Sequence, residues 1–316
     1  MNGVRELSRA DTLQLVVSQP FSFRYTFWKP SHFATGLEAH TARESWRTFR
    51  IDSLTCGVHA QMADDTTIQA GIYGDKEWTP AYRDRLRRRL QWSYGLDEDL
   101  SAFTGQCERV PAMREPLSLL GGMRQSCPEN LFEIAIISLL LQNATIARTT
   151  QMLRNLLTHY GQVVRFADMD LHAFFTPGEI ANVPEERFRL EDRLGYRAKY
   201  IGRFAEFFAG RDSELEGAGG EELPTQFQQV KGVGPYTASV IASHASRDPS
   251  ALGLDVWNRK LLARYLMGAD DAGPGEVMAA VTRLFPGNQG LAALYLIEYE
   301  YSRQPVVPLL EQAPTA

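Results

Sequence analysis

LPTQFQQVKGVGPYTASVIASHASRDPSALGLDVWNRKLLARYL, residues 223–266, is the stretch whose reading decides the fold. Apolar residues at helical spacing on both sides of Val230-Lys231-Gly232-Val233-Gly234 predict two helices joined by a tight hairpin. Pro235 suits the first turn of the second helix, where its missing N–H would be unpaired anyway. Gly232 and Gly234 are expected to adopt backbone conformations closed to other residues and to clear side chains from the turn. The hairpin amides, with Lys231 and Val233 among them, can then approach an anion at a helix start. A DNA phosphate is the natural anion, because the contact is independent of base sequence. A lone GxG between helices is also compatible with nothing more than a tight helical turn.

The loop SRDPSALGL leads on to Asp255, 21 residues beyond Gly234 and directly before another helix. Asp255 has an ordinary reading as an N-cap. The loop is nonetheless long enough to fold the next helix back beside the hairpin, so that one anion site and one carboxylate share a cleft. Tyr236 and Trp257 flank that cleft in sequence, either as packing residues or as walls of a pocket.

Outward from the hairpin, residues 112–303 read as helices broken by Gly, Pro or Asp, with a short helical piece expected near 168–174 and a linker at REPLSLLGG, 114–122. Residues 1–111 read differently. LQLVV (13–17), FSFRYTF (21–27, with aromatics at alternate positions), SWRTFRI (45–51), LTCGVHA (54–60) and TIQAGIY (67–73) predict an antiparallel sheet, and a helix over 80–92 packs on it. The expected fold class is α+β: an N-terminal antiparallel sheet domain with a packed helix, 1–111, then a mostly α domain with a helix–hairpin–helix, 112–303. A second linker at GRDSELEGAGGEE and a Pro-rich tail, 304–316, complete the layout.

Composition narrows the function. The 316 residues are 44% hydrophobic and 22% charged, which describes a globular chain with a sizeable core. No apolar run approaches the roughly 20 residues of a spanning helix, and MNGVRELSRADT has no apolar signal core, so a cytoplasmic protein without a membrane partner is expected. A net charge of −5 argues against coating nucleic acid through bulk charge. The run Arg83, Arg85, Arg87, Arg88 and Arg89 surrounds a Tyr82/Leu86/Leu90 stripe and reads as a solvated helix face or a phosphate contact. Three separated cysteines (56, 107, 127) exclude a disulfide framework, a four-cysteine zinc site and an iron–sulfur cluster. The six histidines show no HxxxH or HExxH spacing, so no catalytic metal is expected. Trp28, Trp46, Trp78 and Trp92 are expected in the core.

With the hairpin and Asp255 in place, the sequence resembles the helix–hairpin–helix GPD superfamily of base-excision DNA glycosylases. The strand-rich start followed by a helical domain looks like the 8-oxoguanine DNA glycosylases and the bacterial 3-methyladenine DNA glycosylase II. FSFRY (21–25) resembles their QSFRW, NATIARTT (143–150) their NNNIARIT, and LGYRAKY (194–200) their GYRARY. The resemblance implies that Asp255 is the catalytic carboxylate, stabilising an oxocarbenium-like transition state or activating water. It implies that the target base is flipped out of the stack. It further implies that Asn143, Arg148, Tyr196 and Arg197 fill the gap and contact the base left behind. Each also has a plain reading: Asn143 as a helix-start polar residue, the arginines as solvated charges, Tyr196 as core. Bifunctional members carry Lys where this chain has Tyr236, so no lyase step is expected, and an aromatic there resembles the alkylpurine enzymes. Pro20 stands where the oxoguanine enzymes have the glycine whose carbonyl reads the lesion. A monovalent cation, Na+ or K+, held by the carbonyls of Gln228, Val230 and Val233 is implied as a structural ion, with no cofactor required. The expected activity is monofunctional hydrolysis of the N-glycosidic bond of an alkylated purine, by a monomer acting on double-stranded DNA. An oxidised-purine glycosylase and a non-catalytic helix–hairpin–helix DNA-binding protein are the alternatives.

Overall fold

The structure, a computed structural model, describes residues 3–51, 54–74, 78–127, 130–211, 215 and 222–304. Most of the expected linker at 210–222, and the tail beyond Gln304, lie outside them. The N-terminal antiparallel sheet is present, built from four of the five expected strand segments and an additional short strand at 38–40. Strands β2 (Ser8–Val16), β3 (Glu38–His40), β4 (Glu44–Ile51), β5 (Leu54–Asp64) and β6 (Thr67–Gly74) pair antiparallel in the order β2-β6-β5-β4-β3. One face buries Leu13, Leu15, Phe49, Val58, Ile68 and Ile72 against Leu86, Leu90 and Tyr94 of a helix over Pro80–Tyr94. That helix starts at a Thr79 cap with Pro80 in its first turn. Four of its arginines turn to the sheet edge and to nearby rings, and Arg88 is exposed. Arg83 lies 3.2 Å from Asp11, Arg87 donates to the Gln14 carbonyl at 2.8 Å, and Arg85 and Arg89 stack over Tyr82 and Trp92. Trp28, Trp46, Trp78 and Trp92 are half-buried in this part of the molecule.

Three sequence readings require correction. Residues 21–27 do not form a strand: Phe23–Phe27 is a one-turn helix, α1, capped by the Ser22 hydroxyl. Its Phe23 and Phe27, four apart, stack at 4.3 Å, and Phe27 stacks on Tyr94 at 4.0 Å. Over so few residues the alternating aromatics fit the i,i+4 pairing of a helix equally well. Residues 168–174 are not helical. Strands β7 (Gln162–Phe166) and β8 (Met169–Ala173) form a hairpin whose turn residues Ala167 and Asp168 both have positive φ, and β1 (Arg5–Glu6) adds to β7 in parallel. The expected linker at 114–122 is mostly a helix, Arg114–Leu120, that buries Pro116 and Leu120.

The Pro80–Tyr94 helix is labelled α2, Ser101–Cys107 α3 and Arg114–Leu120 α4. Then follow α5 (Leu131–Leu141), α6 (Ile146–Tyr160), α7 (Pro177–Ile180), α8 (Glu185–Leu190), α9 (Ala198–Phe208), α10 (Leu223–Gln228), α11 (Pro235–Ser246), α12 (Val256–Met267), α13 (Pro274–Leu284) and α14 (Gln289–Ser302). From α3 onward they pack around two cores. One gathers Ile136, Leu153, Ile201, Phe204, Phe227, Val230, Val233 and Ile241, from α5, α6, α9 and the hairpin helices. The other gathers Phe103, Met113, Leu120, Leu262, Val281, Tyr295 and Leu296, from α3, α4 and α12–α14. Packing therefore places α3 with the last three helices, ahead of residue 112. The second hairpin helix belongs to one core and the helix after Asp255 to the other, so Asp255 lies on the seam between them. No helix among the described residues is long and apolar enough to cross a membrane.

Candidate active site

The hairpin turn is built from the main chain. The Val230 amide donates to the Phe227 carbonyl and the Val233 amide to the Val230 carbonyl, both at 3.0 Å. Val230 and Val233 are buried, which roots the turn in its core and leaves Lys231 and Gly234 exposed. The two glycines act differently. Gly232 has φ +109, and a Cβ there would lie 2.6 Å from the Tyr200 ring, so conformation and space both demand glycine. Gly234, at φ −85 and ψ 171, adopts a backbone open to any residue, and nothing lies within 4 Å of its would-be Cβ. The expectation of a special conformation holds for Gly232 alone. Gly234 contributes by leaving the N-terminus of α11 uncovered.

Gln142, which the sequence reading passed over, ties the hairpin to the segment that follows α5. Its side-chain amide donates to the Gly232 carbonyl at 3.1 Å and to the Thr237 hydroxyl at 3.2 Å. Its own carbonyl accepts from the Tyr196 hydroxyl at 3.1 Å and from the Arg197 guanidinium. Arg197 also donates to the Leu139 carbonyl at 3.2 Å and is only 6% exposed, so the guanidinium caps the negative end of α5. Asn143 is exposed with φ +48, and Arg148 is exposed and donates to the Arg193 carbonyl. The structure thus brings Asn143, Arg148, Tyr196 and Arg197 together around one turn and links that turn to the hairpin. Tyr196 is exposed rather than core.

Asp255 is the N-cap of α12. Its Oδ1 accepts the Asn258 amide at 2.7 Å while Asn258 Oδ1 accepts the Asp255 amide at 2.8 Å, and Asn258 Nδ2 donates to the Gly253 carbonyl at 2.8 Å. The preceding loop is strapped to α14 by the Leu291 amide on the Pro249 carbonyl, 2.9 Å. Capping and catalytic readings of Asp255 are compatible, because the cap fixes the carboxylate at the seam. The Tyr236 side chain reaches across from α11 to the Asp255 carboxylate. Burial, and then that carboxylate, push the phenol up to about 12, so it stays a donor at neutral pH. The Tyr236 ring is 46% exposed and forms one wall of the cleft. Trp257, 43% exposed, faces Tyr301 at 5.5 Å, and burial followed by Glu298 and Asp255 raises the Tyr301 phenol. Tyr301 on α14 is a second residue the sequence reading missed. Among the described residues no lysine or arginine lies within ion-pair distance of Asp255; Arg259 and Lys260, on the same helix, turn to Asp271. A half-buried carboxylate with no counter-cation, lined by three aromatic rings, is suited to hold a planar, electron-poor group and to stabilise positive charge.

Residues 136–287, which span both the Gln142 turn and the Asp255 cleft, match the HhH-GPD superfamily of base excision DNA repair proteins. The likeness to that superfamily is a likeness of this domain, which carries both the hairpin and Asp255. The fold is similar to that of 3-methyladenine DNA glycosylase from Archaeoglobus fulgidus: the TM-score is 0.76 at 18% identity, covering 94% of this chain and 100% of that one. The 8-oxoguanine glycosylase/lyase of Clostridium acetobutylicum is similar at a TM-score of 0.68 and 18% identity, covering 94% and 99%. A second structure of that enzyme holds double-stranded DNA with cytosine opposite 8-oxoguanine, at a TM-score of 0.62 and 19% identity, covering 81% and 87%. In sequence, a probable N-glycosylase/DNA lyase of Methanothermobacter thermautotrophicus is 23% identical, covering 72% of this chain and 80% of the relative.

Proposed function

We propose that this protein is a monofunctional DNA glycosylase that extrudes a damaged, alkylated purine from the duplex and hydrolyses its N-glycosidic bond at Asp255. The observation that carries the reading is the Asp255–Tyr236 pair: a fixed carboxylate without a counter-cation, with a phenol rather than an amine beside it. As the bond between C1′ and the base nitrogen breaks, its electron pair leaves with the base and positive charge builds on the sugar. Asp255 stabilises that charge, and water adds to C1′ while its proton passes to the carboxylate and on to solvent. A purine alkylated at N3 or N7 already carries the charge that makes it a good leaving group, so no protein acid is required. Tyr236, Trp257 and Tyr301 supply ring faces for such a base. The hairpin amides and Lys231 hold phosphate, and the exposed Asn143, Arg148 and Tyr196 occupy the space the base vacates, with Arg197 holding their turn. The carbonyls of Gln228 and Val233 take no main-chain hydrogen bond among the described residues, and that of Val230 takes one. All three therefore have lone pairs for a Na+ or K+, which would offset phosphate charge at the hairpin.

The solved Clostridium enzyme on double-stranded DNA supports the choice of duplex as partner. The test is base release from duplexes carrying alkylated, oxidised or deaminated bases, with and without alkali, and with borohydride. Alkylated purines should be released, the strand should stay intact until alkali is added, and no covalent protein–DNA complex should be trapped. Preferential release of 8-oxoguanine, or trapping of the wild-type protein, would replace this reading.

A further inference from the structure

Glu298 lies on α14, three residues before Tyr301 and so on the same helix face. Tyr301 contacts Trp257 and lies in the field of both Glu298 and Asp255. Glu298 therefore sits one turn deeper behind the wall of the Asp255 cleft. It is 2% exposed, and both oxygens face Ser31: Oε2 accepts the Ser31 amide at 2.9 Å and Oε1 the Ser31 hydroxyl at 2.6 Å. Each oxygen keeps a free lone pair. Among the described residues no cation lies within ion-pair distance of it. Behind it Lys29, 3% exposed, donates to the Ser126 hydroxyl at 2.6 Å and to the Thr26 carbonyl at 3.4 Å.

Burying a carboxylate without a direct counter-cation is expensive, and two neutral donors from one serine do not require a charged acceptor. A mere tie between Ser31 and α14 would be served by an amide. With Lys29 beyond ion-pair distance, what a charge adds at that depth is attraction for a cation entering the cleft, in a field that Glu298 and Asp255 both exert at Tyr301. We propose that Glu298 is the specificity-determining residue of the cleft, and that with Asp255 it selects a base that carries formal positive charge, an N-alkylpurine, over neutral purines of the same shape. Ser31 is its positioning residue. The Glu298 carboxyl is raised, by burial first, and the Ser31 hydrogen bonds and Lys29 offset part of that rise.

This inference rests on the proposed glycosylase reading, and binding separates the two. Duplexes containing N7-methylguanine or guanine on a 2′-fluoroarabino sugar, which resists hydrolysis, are titrated with wild-type protein, Glu298→Gln and Ser31→Ala. An abasic-analogue duplex serves as reference. The wild type should prefer the cationic base at least tenfold. Glu298→Gln should reduce that preference at least fivefold and Ser31→Ala at least threefold, with affinity for the abasic duplex unchanged. Wild type without a preference, or Glu298→Gln with the full preference, overturns the inference even where base release upholds the glycosylase. If Glu298→Gln does not fold, an unchanged preference in Ser31→Ala overturns it. Absence of any alkylated-base release by the wild type removes the glycosylase reading itself.

Discussion

The Tyr236 phenol, at the start of one helix, lies beside the Asp255 carboxylate at the start of the next, and the two helices belong to different cores. The pair spans the seam of the helical domain, and its chemistry depends on how those cores meet. Asp255→Asn keeps the cap geometry, since Asn is an equally good N-cap, so stability should change by no more than about 0.5 kcal/mol. Base excision should fall at least about 100-fold, a loss of roughly 2.7 kcal/mol of transition-state stabilisation, because an amide cannot offset charge on the sugar. Single-turnover release and thermal unfolding measured together check this. A rate within tenfold of wild type would leave Asp255 as a cap only.

Tyr236 offers the same site to a finer test. Tyr236→Phe keeps the ring and removes the hydroxyl beside Asp255, so excision should drop about three- to tenfold, as for loss of one polar contact of roughly 1 kcal/mol. Tyr236→Ala should lose more, because the wall of the cleft goes too. Tyr236→Lys places an amine beside C1′ and should yield borohydride trapping that the wild type lacks. A Phe variant at the wild-type rate would remove the hydroxyl from the mechanism.

Much of this arrangement is written locally. Gly234-Pro235 and Asp255 start α11 and α12, and Gly268, at φ +67, stops α12, so the bounds 235–246 and 256–267 are legible residue by residue. The hairpin at 162–173 carries alternating Val164, Phe166, Leu171 and Ala173 around an Ala-Asp turn, but it is short and sits among helices, whose period dominates the surrounding windows. Arg197 looks like any surface arginine in sequence. Only the docking of its 3₁₀ turn under α5 turns it into a cap for the Leu139 and Gln142 carbonyls. Tyr301 and Glu298 are equally silent, because nothing in α14 says which face will close over a carboxylate some forty residues earlier.

Two half-buried histidines set an acid limit on stability. Burial, and then Lys29, lower His32 to about 3, and burial lowers His244 to about 4. Both are neutral in the folded state, whereas the unfolded chain binds protons below about pH 6.5. As pH falls from about 6.5 toward 4, the unfolded state takes up protons the folded state refuses, and stability drops by up to about 1.4 kcal/mol per pH unit for each histidine. His32 Nδ1 has no hydrogen-bond partner, and the ring meets Trp28 edge-on at 5.4 Å, so His32→Phe preserves the packing. Urea unfolding at pH 4.5, 5.5 and 7 should give a pH slope shallower by up to about 1.4 kcal/mol per unit in this variant. An unchanged slope would mean that His32 is solvated.

The two hairpin glycines should separate folding from DNA binding. At Gly232 an alanine meets both a positive φ of +109 and the Tyr200 ring, 2.6 Å from its Cβ. Backbone strain and overpacking are each of order 1–3 kcal/mol, and Tyr200 yielding to the methyl relieves only the second. Gly232→Ala should therefore lower the melting temperature and, through a displaced hairpin, weaken every duplex. At Gly234 an alanine fits the backbone, and nothing lies within 4 Å of its Cβ. Stability should fall by no more than about 1 kcal/mol, the difference between glycine and alanine as an N-cap. The methyl group nevertheless stands in front of the first amides of α11, where phosphate must approach. Gly234→Ala should thus weaken damaged and undamaged duplexes alike with folding nearly intact, and Lys231→Ala should reduce the slope of log affinity against log salt by about one. Melting curves and duplex titrations across a salt series distinguish these outcomes. A Gly234→Ala protein that binds all duplexes normally, or loses only one lesion, would move the phosphate contact away from the hairpin.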